Sequence, residues 1–195
     1  MRISANTPAG SQMLLTPLIK KQAKISSCFS DKLEQLHQIE NHVMPLLQKA
    51  KRLASDVRLK AAINDMIRST QEKTAYLEKA YGSISGKVPK GGMLQSCCDE
   101  FISLTGDFDA GTDTKDAGIR DAAIIFEIQK MVQFKIEHYS ILCELADAYN
   151  NKQLSQVTEK ILQSEICCDA SLMDLSVVYF GYDEDDMTDF TGDEE

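Results

Sequence analysis

Glu40, Lys73, Lys135 and Glu165 each interrupt an apolar series that otherwise repeats at intervals of three and four residues, so each falls where a helix should face a core. Asp169 follows Glu165 by one helical turn on nearly the same face. A buried charge without a partner is costly, so four of them at similar depth demand mutual pairing or a metal. Bundles that hold two metals place one Glu on each of two helices and a Glu plus a second ligand, three or four residues on, on the other two. Carboxylates alone would suit that plan. Two lysines do not.

The elements that must position these residues are helices. Leu33, Leu36, Glu40, Val43, Leu47, Ala50 and Ala54 mark the first, with Ser30-Asp31 as its expected N-cap and Pro45 as a local bend. A break near Ser55-Asp56 leads to a second through Ile63, Met66, Thr70, Lys73, Leu77 and Ala80, which Gly82 is expected to stop. Residues 93–104 predict a short crossover helix. A third long helix starts around Asp116 and carries Ile125, Ile128, Val132, Lys135, Tyr139, Leu142, Ala146 and Tyr149. A fourth runs from about Gln153 to Val178 through Leu154, Thr158, Ile161, Glu165, Cys168, Leu172 and Leu175. The expectation is all-α: an antiparallel four-helix bundle over 29–179, preceded by a flexible arm over 1–28 and followed by an acidic disordered tail over 180–195.

Bulk properties narrow the function. The formal charge of -9 is concentrated in the last residues, where Asp183, Glu184, Asp185, Asp186, Asp189, Asp193, Glu194 and Glu195 stand without Lys or Arg; adding those eight back leaves the rest near -1. No basic stripe exists to neutralise phosphates, which argues against nucleic acid. Such a tail keeps a protein soluble or recruits a basic protein partner, and solubility is its usual role. Met13-Leu14-Leu15 is too short for a signal-peptide core or a membrane span. The six cysteines lack Cys-x-x-Cys spacing, and most are expected to be reduced, buried packing residues in a cytoplasmic protein. His37 and His42 are not placed to add a ligand to Glu40's turn, and phosphate loops, nucleophile elbows and Ser/His/Asp arrangements are missing.

From Gly118 to Leu175 the chain resembles, without gaps, the YciE/YciF-type ferritin-like stress proteins of bacteria. The resemblance rests on Gly118-Ile-Arg-Asp-Ala-Ala-Ile-Ile125, Gln129-Lys130, Leu145-Ala146-Asp147 and Glu165-Ile-Cys-Cys-Asp169 through Leu172 and Asp174-Leu175, with Arg120-Asp121-Ala122-Ala123 its most specific piece. More weakly it reaches back to Leu33. It implies a ferritin-like fold and a homodimer, and it connects the chain to stress response. It also implies that Glu40, Glu165 and Asp169 stand at residual ligand positions for iron or manganese. The family's second-helix Glu-Thr and following Gln are here Ser69-Thr70 and Lys73, and its third-helix Glu-His-Tyr-Glu is here Val132-Gln133-Phe134-Lys135. Glu137-His138-Tyr139 imitates the lost motif five residues late, but five residues turn a helix by about 500° and take Glu137 off the seam.

The residues therefore favour a non-enzymatic ferritin-like bundle in which a cluster of Ser69, Lys73 and Lys135 with the remaining acids replaces a di-metal site. Cofactors are not expected; iron or manganese is the choice if there is one. The alternatives are an active di-iron or manganese oxidoreductase and an interaction scaffold.

Overall fold

A computed structural model describes residues 9–85, 95–106 and 108–180. Among the described residues six helices follow one another: α1 (Ala9–Leu53), α2 (Val57–Ser85), α3 (Gln95–Thr105), α4 (Phe108–Thr112), α5 (Ala117–Ala148) and α6 (Lys152–Phe180). No strand occurs among the described residues. The four long helices form an antiparallel bundle in which α1 packs on α2 and α5, and α6 packs on α5 and, more loosely, on α2. The two short helices lie against α5.

Each apolar series now has its cause. Leu33, Leu36, Leu47, Leu59, Ile63, Leu77, Ile125, Ile128, Val132 and Leu142 are fully buried, and the bundle closes at one end where Phe29 stacks on Tyr149 at 5.6 Å between ring centroids. At the other end, the turn between α1 and α2 is tightly held. Asp56 caps α2, its Oδ1 accepting the backbone N–H groups of Arg58 at 2.6 Å and Leu59 at 3.1 Å. The Arg58 guanidinium and those backbone donors hold the Asp56 carboxyl down at about 2. Asp116 caps α5 by accepting from Ile119 N–H at 2.9 Å.

Four expectations need correction. α1 starts at Ala9 rather than near Ser30, so Ser30-Asp31 lies inside a helix and residues 9–28 are not a loose arm; lengthening a formed helix through Leu18, Lys20, Lys21, Gln22, Ala23 and Lys24 needs no new nucleus. α2 passes Gly82 and ends at Ser85, because one helix-interior glycine costs only about 1 kcal/mol. The crossover holds two short helices instead of one. Cys28 and Cys167 are exposed, and Cys143 and Cys168 are half-buried free thiols, so the described cysteines do not serve as fully buried packing groups. The exposed Pro45, expected as a local bend, lies within the helical span of α1. The acidic residues 181–195 lie outside the described residues.

Candidate functional site

The seam charges are indeed interior: Glu40, Lys73, Lys135 and Glu165 are 0%, 7%, 2% and 1% exposed. They come from four different helices, each at the depth where its apolar series skips a beat, and the structure brings all four together. Lys135 sits centrally. Its Nζ donates to Glu165 Oε1 at 2.8 Å and faces both oxygens of Glu40 at 3.3 and 3.4 Å. Lys73 donates to the same Oε1 of Glu165, so one carboxylate oxygen joins two ammonium groups. Tyr139, one turn after Lys135 and fully buried, donates its hydroxyl to Glu40 Oε1 at 2.9 Å. Two acids and two bases make the cluster formally neutral.

Burial and pairing oppose each other here. Burial draws the Lys135 ammonium toward neutrality, but the Glu165 and Glu40 carboxylates outweigh it and raise its pKa above the ordinary lysine value. For Glu165 burial pushes upward, and Lys135 then Lys73 reverse it, leaving its carboxyl below the ordinary range. Burial, reinforced by Glu40, lifts the Tyr139 phenol well above its usual value. Cys168, beside Glu165, is pushed up to about 11 by burial and then by that carboxylate, which leaves it a poor nucleophile.

Asp169 does not join the cluster. A step of four residues turns a helix by about 40° beyond a full circle, enough to carry Asp169 out to a groove between α5 and α6, where Gln133 Nε2 donates to its Oδ2 at 2.7 Å. Ser69 lies partly buried at the edge of the space between α2 and α6. Glu137 is exposed, while the neighbouring His138 accepts from Lys32 Nζ at 2.8 Å and packs on Phe134. His37 pairs with Glu78 at 3.1 Å and stays off the cluster.

A pair of divalent metals does not fit this donor set. Glu165 Oε1 already accepts two N–H donors, Glu40 accepts from Lys135 and Tyr139, and two fixed positive charges occupy the space that cations would share. Among the described residues no three His, Cys, Asp or Glu side chains converge as metal ligands.

The Arg120-Asp121 pair has a structural role that residue types and spacing did not reveal. Asp121, 2% exposed, accepts the backbone N–H groups of Ser55 and Asp56, each at 2.7 Å. Arg120 donates Nε to Leu53 O at 3.0 Å and its terminal nitrogens to Ser55 Oγ at 2.8 Å and Thr114 O at 3.1 Å. The arginine satisfies the carbonyl end of α1, and the aspartate takes the donors that open α2. Adjacent opposite charges one turn into a helix were the available signal; their partners, some 65 residues away in the chain, were not legible.

Comparison with known proteins agrees with this architecture. A family model described as "Domain of unknown function (DUF892)" matches residues 24–178. The solved structure of the E. coli stress protein YciF superposes with a TM-score of 0.73 at 21% identity, covering 82% of this chain and 98% of that one. YcfI from Rhodopseudomonas palustris superposes with a TM-score of 0.68 at 19% identity, covering 76% and 92%. At such identities the likeness shows the fold. No curated protein matches the chain.

Proposed function

The chain belongs to the DUF892 family, and we propose that it is a ferritin-like helical bundle with a stress-related, non-catalytic role, in which a Glu/Lys cluster takes the place of a di-metal centre. One observation carries this reading: Lys73 and Lys135 both donate to a single oxygen of Glu165. The two ammonium groups neutralise the carboxylates that would otherwise hold cations, so the bundle keeps a polar interior without a metal. No group in the cluster is poised for acid–base or nucleophilic work. The stress connection rests on the likeness to YciF.

The test is metal content. Full-length protein, purified without chelator and equilibrated anaerobically with Fe(II) or Mn(II), is expected to retain far less than one metal per chain by elemental analysis. Two metals per chain would overturn the reading and restore an oxidoreductase.

A second copy of the chain is the proposed partner, in keeping with the resemblance that implies a homodimer. Phe126, Met173 and Val177 are large apolar side chains exposed at 58%, 55% and 61% along α5 and α6. Sedimentation equilibrium is expected to give twice the chain mass and, for Phe126→Asp, the chain mass. We place the protein in the cytoplasm, and no described helix is long and apolar enough to cross a membrane.

A further inference from the structure

α2 and α6 meet less closely than the other neighbouring long helices, and they leave a cleft of about 300 Å³ whose floor is the buried cluster. Beyond Lys73 the cleft passes into a second space of about 210 Å³, which shares Ser69, Lys73 and Ser164 with the first.

The walls offer hydroxyls. A helical serine or threonine can spend its hydroxyl on the carbonyl one turn back. Thr74, Ser140 and Ser171 do so at 2.8 to 2.9 Å. Ser69, Thr70 and Ser164 line the cleft and make no such bond, as is also true of Ser26, Ser27, Ser30 and Ser103 elsewhere among the described residues. Lys73 is more than nine-tenths buried and donates only to Glu165, which leaves two of its three N–H donors for the cleft.

Charge selects the sign of an occupant. Lys73, Lys135 and Glu165 reach the cleft, whereas Glu40 lies behind Lys135 and off its wall. Asp65 on the rim is exposed and paired with Arg68 at 3.0 Å. The cluster beneath the cleft is neutral as a whole, and the preference for an anion is local: Lys73 turns its remaining N–H donors to a partly enclosed space of ligand-pocket size, while Glu40 stays behind Lys135.

We propose that the α2–α6 cleft binds a small oxyanion, a carboxylate or phosphate group whose oxygens accept from Lys73 and from the hydroxyls of Ser69, Thr70 and Ser164. This inference rests on the reading above, since a metal pair would displace the two ammonium groups.

Acetate and inorganic phosphate are the probes, each titrated into the full-length protein against sodium chloride of equal ionic strength. A saturable rise in Tm of roughly 5 °C at a hundredfold excess over Kd is expected for at least one of them. The probe that binds identifies the source class. Ser164→Phe, which sets a large side chain in place of an exposed hydroxyl at the edge of the cleft, is expected to keep native circular dichroism and to lose at least tenfold in affinity. Lys73→Met, checked for native circular dichroism, should lose the response. Absence of a saturable shift with both probes, or full binding by Ser164→Phe, overturns the proposal. Metal content measured on the same samples keeps the two failures apart: metal-free protein that binds neither probe sinks only the oxyanion site, whereas a di-metal centre sinks both.

Discussion

Lys135 Nζ lies 2.8 Å from Glu165 Oε1, across a core in which both residues are nearly inaccessible. The pair is bound to its surroundings from both sides, by Lys73 on Glu165 and by Glu40 on Lys135. A chain of four charges is thereby closed into a neutral unit, and loss of any member leaves a buried charge uncompensated.

Lys135→Met is therefore expected to destabilise the protein by about 3–5 kcal/mol, because Glu40 and Glu165 lose their shared cation without access to water. Urea denaturation should show it as a lowered midpoint with unchanged slope, and calorimetry as a Tm drop of roughly 10 °C. Replacing all four charged residues together by Leu and Met is expected to be neutral or stabilising, since desolvation of four ions disappears with their attraction. A quadruple variant weaker than Lys135→Met would contradict this account.

Tyr139→Phe keeps the ring and removes the hydrogen bond to Glu40. A hydrogen bond to a charged acceptor is worth about 1.5–3 kcal/mol, which sets the expected loss in a denaturant titration. Spectrophotometric titration at alkaline pH provides a second check. Tyr139 is held neutral by burial and by Glu40, and Tyr76 is raised to about 12 mainly by burial. Both phenols should resist ionisation in the folded protein where exposed tyrosines titrate.

Asp121→Ala removes the acceptor for Ser55 and Asp56 N–H and should cost about 3 kcal/mol. Hydrogen exchange offers the diagnostic signature. Protection should fall first in the α1–α2 turn and the opening of α2, while the Phe29–Tyr149 end of the bundle stays protected.

Acid should weaken the fold through two groups with depressed pKa values. Asp56 is at about 2 in the folded chain against 3.8 unfolded, so its contribution is complete above pH 3.8 and is lost as pH falls toward 2. Glu165 is also lowered from 4.5, so its contribution is present above that value and disappears on further acidification. The stability difference between wild type and Asp56→Ala should thus be constant at neutral pH and vanish near pH 2. Lys135 works in the other direction: its raised pKa favours the folded state below pH 10.5, and that stability is lost only as pH climbs past the folded value. A stability difference for Asp56→Ala that grew on acidification would refute the assignment.

The periodic series determined a great deal by themselves. Leu33 to Ala54, Ile63 to Ala80 and Leu154 to Leu172 each state which face of a helix is buried, because an amphipathic helix has only one way to hide its apolar stripe, whereas Ile125 to Ala146 states only part of it, since α5 also buries Ile124, Glu127 and Met131. The same spacing placed Glu40, Lys73, Lys135 and Glu165 inside. Where α1 begins was not written there, since Gly10 and Pro17 read as breakers and the helix nevertheless runs through both from Ala9.

Which charge meets which was decided only by the tertiary structure. Helical spacing gives the depth and face of a side chain but not its partner on another helix, so the sharing of Glu165 Oε1 by two lysines, the turn of Asp169 toward Gln133 and the grip of Arg120-Asp121 on the α1–α2 turn all waited for packing. Contacts between residues 30 to 99 positions apart depend on the relative rotation and stagger of whole helices, and those are set by the fit of many side chains at once.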